Sequence, residues 1–166
     1  MTVKQNTYFS PIDNLSYIDH FIFNLKLIIF VLFSVPLLFA AIFFGKIIPF
    51  FGEWLPVIFH KLLIWLLSVR VQYEGEINKS NDSNLFISNH QSYLDIPILG
   101  SLYPVRFVAK SDVENWPLFG FLAKLGRTIF ISRNRSDSLS QKNKIFKCLS
   151  SDEKIFIFPE GTTSDG

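Results

Sequence analysis

The sequence predicts an α/β domain, with a mixed β-sheet and flanking helices, that follows a membrane-embedded hairpin of two helices. Two observations predict this fold class. Of the 166 residues, 49% are hydrophobic and only 18% are charged, against about 25% charged in an average soluble domain. The apolar excess lies in residues 21–69, which hold four charged side chains. After residue 69, short apolar runs separated by turns alternate with helical stretches, a pattern typical of α/β proteins.

The composition also excludes several classes of protein. The formal net charge is +2, which argues against a strongly basic nucleic-acid binder, so no nucleic-acid partner is expected. The one cysteine, Cys148, excludes a disulfide scaffold and an all-cysteine metal site. The sequence also lacks the short motifs of nucleotide-binding loops, zinc peptidases and serine-nucleophile hydrolases.

Residues 21–69 predict a membrane anchor, which a polar segment at 1–20 precedes. The first helix is expected at about 21–48, because residues 27–45 are all uncharged. A helix of that length reaches about 28 Å, close to the thickness of the hydrocarbon core. The second helix is expected at about 54–69.

Three arrangements of this segment compete. A signal peptide is disfavoured, because some 20 polar residues precede a long apolar run. A single span would place the two ends on opposite faces of the membrane. A hairpin would keep both ends on one face, and Pro49 and Gly52 supply a turn between the helices. The hairpin is favoured, with the second helix at the interface and Trp54 and Trp65 as anchors.

The remaining residues, 70–166, predict alternating strands and helices. Apolar runs bounded by turn residues predict strands at 69–73, 85–88, 105–109, 128–132 and 155–158. Helical patterns lie at 94–102, 117–125 and 136–149, with Ser136 as the expected N-cap of the last.

His90 is the first candidate for chemistry. It follows the strand at 85–88, and the carboxyl ends of strands carry ligand sites in open α/β folds. Asp95 comes five positions later, where a loop-to-helix turn can bring its carboxylate back to the imidazole. Such a pair can act as a general base on a substrate hydroxyl. Taken alone, a histidine is more often structural, and Asp95 could equally be a residue that stabilises the helix N-terminus.

Two further clusters also follow strands. The segment FPEGTTS at 158–164 places Glu160, Gly161 and Thr162 in a turn that can hold an anion or an oxyanion. The segment GRTIFISR at 126–133 ends on Arg133, a side chain suited to bidentate phosphate binding. A polar surface turn and a solvated cation remain the simpler alternatives for these two clusters.

Together these blocks resemble the PlsC-type lysophospholipid acyltransferases, which include 1-acylglycerol-3-phosphate acyltransferase. NHQSYLD at 89–95 matches the family's N-H-x-x-x-x-D block, and GRTIFISR resembles its G-x-x-F-I-x-R block. FPEGTTS matches F-P-E-G-T-x-S, the most specific of the motifs. Lys110 also stands where the family has a lysine before a P-x-x-G.

The resemblance implies a glycerolipid acyltransferase-like fold and acyl transfer without a covalent intermediate. His90, held by Asp95, is expected to deprotonate the acceptor hydroxyl, which then attacks the thioester of acyl-CoA or acyl-acyl carrier protein. No metal and no cofactor is expected. The acceptor is expected to bind to the remaining motif residues, namely Lys110, Arg133, Glu160, Gly161 and Thr162.

The acceptor that the resemblance favours is lysophosphatidic acid, a membrane lipid, with phosphatidic acid as the product. Another lysolipid or glycerol 3-phosphate remains an alternative, as does an inactive truncated membrane protein. The catalytic domain is expected on the cytoplasmic face of the membrane. Because the family domain continues beyond FPEGTTS and this chain stops at Gly166, the last part of the domain is expected to be missing, and the strand before Glu160 is expected to lack a neighbour.

Overall fold

The structure contains the helices and strands that the sequence pattern predicts, together with one strand and one 3₁₀ turn that it does not. The computed structural model describes residues 2–5, 16–45, 47–74, 85–132, 138–151 and 153–161. The helices are α1 (Tyr17–Phe44), α2 (Pro49–Leu66), α3 (Asp95–Leu102), α4 (Phe119–Leu125) and α5 (Ser138–Leu149). The strands are β1 (Thr2–Gln5), β2 (Val71–Glu74), β3 (Leu85–Ile87), β4 (Arg106–Lys110), β5 (Ile129–Ile131) and β6 (Ile155–Ile157).

Four parallel strands form the main sheet, in the order β3-β6-β4-β5. Phe156 of β6 pairs with Phe86 on one side and with Phe107 on the other. Ile98 of α3 and Ile155 of β6 are almost fully buried, so the core lies where the apolar runs predict it. The α/β class with flanking helices is confirmed, and all four carboxyl ends of these strands meet at one edge of the sheet.

The expectation about the strand before Glu160 is wrong. That strand is β6, and it lies in the interior of the sheet between β3 and β4. A parallel sheet is connected by crossovers, so a strand that comes late in the chain can be inserted between earlier ones. Its side chains are correspondingly covered, with Ile155 fully buried.

A second sheet consists of β1 and β2 alone. They pair antiparallel, with Thr2 opposite Glu74 and Gln5 opposite Val71. The sequence pattern places the strand at 69–73 beside the other strands of the catalytic domain, and that is wrong. The partner strand was not predicted either, because residues 2–5 lie in the segment that reads only as polar.

The two apolar helices begin and end three to five residues earlier than the sequence pattern predicts. The first helix starts at Tyr17 because Ser16 and Asp19 form a capping box, in which the Asp19 carboxylate accepts a hydrogen bond from the Ser16 amide over 2.9 Å. The second starts at Pro49, a residue favoured in the first turn. It stops where Ser68 adopts a left-handed conformation, with φ of 57°. Within the described residues, α1 alone is long and apolar enough to cross a membrane.

The second helix packs antiparallel to α1 on one side and against α3 on the other. Lys26 of α1 donates a hydrogen bond to the Ser68 hydroxyl over 2.9 Å, beyond the end of α2. At the other end of the pair, Phe44 contacts Phe51. The α2 side chain His60 is packed directly against Gly100 of α3. The second helix is therefore a layer between α1 and the catalytic domain.

The connections within the domain differ from the pattern in detail. A 3₁₀ turn at Ser111–Asn115 follows β4, and α4 begins only at Phe119. The sequence predicts a single helix at 117–125 and no 3₁₀ turn. The last helix, α5, is described from Ser138 onward, so the expected cap at Ser136 lies outside the described residues.

Candidate active site

His90 and Asp95 lie together just beyond the carboxyl end of β3. The chain leaves the strand at Ile87, runs through an extended loop and enters α3 at Asp95. This return brings the Asp95 carboxylate to within 2.9 Å of His90 Nδ1. The side chain of Asp95 is 9% exposed and that of His90 is 13% exposed. Both are therefore shielded from bulk water, while the imidazole stays reachable from the sheet edge.

The hydrogen bonds of Asp95 fix the orientation of the carboxylate. Its Oδ2 also accepts the backbone amides of Gln91 and Ser92, over 2.8 and 2.9 Å. Since a carboxylate at this place can only accept, His90 donates from Nδ1–H, and Nε2 becomes the acceptor nitrogen of the ring. The carboxylate also begins a helix, where a negative charge is favoured. The arrangement holds an imidazole in the tautomer that a general base needs.

Phe158 supports the imidazole from one face. The ring of Phe158 stacks on His90 with centroids 4.3 Å apart and planes 22° apart. Phe107 in turn stacks near-parallel to Phe158, with centroids 6.2 Å apart. The sequence reasoning missed this role of Phe158, although the residue opens the FPEGTTS segment. Its signal lies in the sheet order, because only the β3–β6 pairing brings residue 158 beside residue 90.

Lys110 and Gly161 meet at the same edge of the sheet. Lys110 is the last residue of β4, and a Cβ added to Gly161 would lie 3.9 Å from its Cε. Gly161 has φ of 63°, a conformation that side chains disfavour, and its amide closes a turn on the Phe158 carbonyl over 3.0 Å. Glu160 lies in that turn, at the exposed edge.

Two residues of the predicted site, Arg133 and Thr162, lie outside the described residues. The structure therefore brings together His90 with Asp95, and Lys110 with Gly161, around the carboxyl ends of β3, β6 and β4. In the part of the chain that the structure describes, no group of three or more His, Cys, Asp or Glu side chains could hold a metal ion.

A surface groove lies away from His90. It has a volume of about 540 Å³ and lies beside β5 and α5. It reaches the candidate site only at one end, where Ser111 and Ser132 follow the carboxyl ends of β4 and β5. His90 and Asp95 do not line this groove, so the candidate catalytic pair and the groove are neighbours rather than the same place.

The comparisons with known proteins decide the family. A family model described as Acyltransferase matches residues 70–166. This chain belongs to that acyltransferase family. The resemblance that the motifs carry is thereby confirmed, and the matched range contains His90, Asp95 and the FPEGTTS segment.

The curated relatives of this acyltransferase are named for two different acceptor lipids. The chain is 43% identical over 115 residues to the lyso-ornithine lipid O-acyltransferase of Rhizobium meliloti (strain 1021), which covers 69% of this chain and 39% of that protein. It is 34% identical over 83 residues to the 1-acyl-sn-glycerol-3-phosphate acyltransferase of Neisseria gonorrhoeae, covering 49% of this chain and 32% of that protein. The chain spans less than half of the length of these relatives. No solved structure matches it.

Proposed function

We propose that this acyltransferase moves a fatty acyl chain from the thioester of acyl-CoA or acyl-acyl carrier protein to the free hydroxyl of a lysolipid, with His90 as the general base. The observation that carries the proposal is the contact between His90 Nδ1 and Asp95 Oδ2. This contact leaves Nε2 as the acceptor at the edge of the sheet.

The proposed reaction needs no covalent acyl-enzyme. Nε2 of His90 takes the proton of the acceptor hydroxyl while its oxygen attacks the thioester carbonyl carbon. The negative charge moves to the carbonyl oxygen, and we propose that a backbone amide near Gly161 stabilises it. The carbon–sulfur bond then breaks, and the imidazolium returns its proton to the leaving thiolate. Asp95 stabilises the positive charge on the imidazolium between these two steps.

The other motif residues are proposed to hold the acceptor. Lys110 supplies a positive charge beside the Gly161 turn, and Glu160 can accept a hydrogen bond from a second hydroxyl. Arg133 and Thr162 complete the proposed set, on the basis of their positions in the motifs. Residues 103–147 carry nine Lys and Arg against three Asp and Glu, so this part of the domain is positively charged. Electrostatic attraction therefore favours an acceptor with an anionic headgroup.

Two acceptors are proposed for this site. The motifs favour 1-acylglycerol 3-phosphate, which would give phosphatidic acid. A lyso-ornithine lipid is the second candidate, and the higher identity of 43% to a protein named for that acceptor supports it. The same catalytic pair serves both, because in each case a hydroxyl oxygen receives the acyl chain.

The general-base role is tested with His90→Ala, assayed for acyl transfer in membranes. We expect the rate to fall by about 10²–10⁴-fold. The matched control is His20→Ala, a histidine exposed in the first turns of α1, which should retain activity. Undiminished transfer by His90→Ala would sink the mechanism, and no transfer by the unmodified chain to any acceptor would favour the inactive protein.

The acceptor is tested by competition. Equal amounts of 1-acylglycerol 3-phosphate and lyso-ornithine lipid are offered with labelled acyl donor, and the two products are separated. Preferred formation of phosphatidic acid supports the first acceptor. Preferred labelling of the ornithine lipid overturns it in favour of the second, while leaving the role of His90 unchanged.

A further inference from the structure

The groove beside β5 has an anion-binding character that the proposed acceptor site does not use. We call it the β5–α5 groove, after the two elements that form its walls. Its volume of about 540 Å³ lies within the range of small-molecule sites. Hydroxyl and amide side chains line much of it, and Lys144 and Lys147 of α5 lie along one wall.

The two lysines are the uncompensated charges of this groove. Arg106, a third cation in the lining, forms an ion pair with Glu153. The single carboxylate in the lining, Glu114, lies 3.3 Å from Lys124. Among the residues that the structure describes, neither Lys144 nor Lys147 forms an ion pair. Both are exposed and lie on one side of α5, as residues three positions apart on a helix do.

The groove runs along the strands from one edge of the sheet to the other. At the catalytic edge, Gln141 of α5 donates a hydrogen bond to the Ser132 carbonyl over 2.6 Å. At the opposite edge, Arg106 contacts Cys148 near the end of α5 over 3.1 Å. Four residue steps along β4 separate the two levels, or about 13 Å. The shape therefore suits an extended ligand with its reactive end at Ser132 and its charged end at Lys147.

The groove also faces away from the apolar helices. The connections β3–β4 and β4–β5 advance in one direction across the sheet, whereas β5–β6 returns. Right-handed crossovers then place α3 and α4 on one face of the sheet and α5 on the other. Because α2 packs on α3, the lysines of α5 lie on the face remote from α1. A water-soluble anion, rather than a lipid headgroup, fits that location.

We infer that the β5–α5 groove binds the phosphate-bearing pantetheine arm of the acyl donor, with Lys144 and Lys147 as phosphate ligands and the thioester at the Ser111–Ser132 end. This inference rests on the proposed function, which requires an acyl thioester. The thioester then lies at the carboxyl ends of β4 and β5, the same edge of the sheet at which His90 is proposed to activate the acceptor hydroxyl. Acyl-CoA and acyl-acyl carrier protein share the phosphopantetheine chemistry, so both are sources of this ligand.

The test is the double variant Lys144→Gln/Lys147→Gln in the full chain. We expect the KM for acyl-CoA to rise at least about tenfold, since hydrogen bonds between charged groups are lost. The kcat and the KM for the lysolipid should stay within about twofold. The matched control is Lys142→Gln, an exposed lysine of the same helix that does not line the groove.

The two donors distinguish the source of the phosphate. A higher KM with both acyl-CoA and acyl-acyl carrier protein supports the inference, because both donors carry the pantetheine phosphate. A rise with acyl-CoA alone would overturn it in favour of the nucleotide phosphates. Donor KM values within twofold of the unmodified chain overturn the inference. So does a rise in the lysolipid KM instead, or an equal effect of Lys142→Gln.

Binding of CoA without turnover separates this inference from the proposed function. Calorimetry on the purified full chain in detergent should show CoA binding that the double variant weakens at least about tenfold. If CoA binds in this way but no lysolipid is acylated, the proposed function is contradicted, whereas the inference that the β5–α5 groove binds the donor is retained. If transfer proceeds and the double variant binds CoA normally, the groove fails and the function stands.

Discussion

A single carboxylate oxygen organises the candidate catalytic pair. Asp95 Oδ2 accepts one imidazole N–H and two backbone amides. The amides of Gln91 and Ser92 come from the loop that carries His90, so the same oxygen shapes the loop and sets the tautomer of the ring. Replacing this residue should therefore affect both the position and the charge of the base.

Asp95→Asn is expected to lower kcat by about 10²–10⁴-fold, because the amide removes the negative charge that stabilises the imidazolium and can orient an N–H toward Nδ1. Circular dichroism should show a retained fold. Asp112→Asn, at an exposed acid in the 3₁₀ turn, serves as the control with unchanged kcat. A kcat for Asp95→Asn within threefold of the unmodified chain would contradict the assigned role.

Gly100 is constrained by its neighbour on α2. A Cβ built on Gly100 would lie 2.2 Å from His60 Nδ1 and 2.6 Å from Cε1. Gly100→Ala should therefore destabilise the protein by about 1–3 kcal/mol through overpacking, although alanine favours a helix. Urea unfolding measures this. Gly126→Ala, whose Cβ would meet only ordinary contacts at 3.4 Å, should change stability little, and equal effects would contradict the packing.

Burial lowers the pKa of His60, and the backbone of Gly100 only partly opposes this. The folded state thus favours the neutral ring, so this contribution to stability is complete above the ordinary pKa of 6.5 and is lost as the pH falls below it. Unfolding measured from pH 7.5 to 5 should show that loss. In His60→Phe the slope should shrink, and an unchanged slope would assign the pH dependence to other groups.

At the scale of elements, α2 is attached to the sheet by a chain of charges. Glu153, just before β6, forms ion pairs with both Arg106 and Arg127. Arg127 also approaches Glu53 of α2, with 3.6 Å between Nη1 and Oε1. These contacts link the amino-terminal half of α2 to the amino ends of β4 and β6, opposite the catalytic edge.

Glu153→Ala should destabilise the protein by about 1–3 kcal/mol, because two arginines lose a largely buried partner. The carboxylate is 16% exposed, whereas Glu114 in its ion pair with Lys124 is 43% exposed. Glu114→Ala is therefore the control, with an expected change below about 1 kcal/mol. Chemical denaturation of both variants measures the free energy of unfolding. A loss of stability in Glu153→Ala no larger than that in Glu114→Ala would contradict the stabilising role of this network.

The elements also show what a sequence can and cannot predict. The strands of the main sheet were predicted within one or two residues, because each is an apolar run closed by turn residues. His90 and Asp95 were paired from local spacing, since five positions span one loop. The interior place of β6 was missed, because strand order depends on pairings between distant segments. The stacking of Phe158 on His90 was missed for the same reason. The strand β1 was missed because its residues TVKQ carry no alternating apolar pattern.

At the scale of the whole molecule, the packing of α2 restricts how α1 meets a membrane. The first helix runs antiparallel to α2, from Lys26 beside Ser68 to Phe44 beside Phe51. The turn end of α2 contacts Arg127 of the catalytic domain. If α1 crossed the membrane perpendicular to its plane, these charged contacts would enter the hydrocarbon core. Transfer of charged side chains into that core has a high free-energy cost. We therefore expect α1 to lie along the membrane surface, with the catalytic domain on the same side of the membrane as both ends of α1.

This topology predicts the labelling of single cysteines in sealed vesicles. In a Cys148→Ser background, Ser16→Cys, Ile47→Cys and Lys142→Cys should all react with a membrane-impermeant maleimide from the cytoplasmic side. A transmembrane hairpin would expose position 47 on the opposite side, and a single span would separate position 16 from position 142. Either pattern would contradict the proposed orientation.

The pairing of β1 with β2 has a consequence for the order of events during synthesis. Thr2 and Glu74 are separated in the sequence by both apolar helices, and yet they are paired in the sheet. At translation rates of about 5–20 residues per second, β2 is made roughly 4–14 s after β1. During that interval the synthesis of α1 is completed, whereas β2 and the catalytic domain have not yet been synthesised. The nascent chain thus has time to bring α1 to the membrane before β1 and β2 can pair.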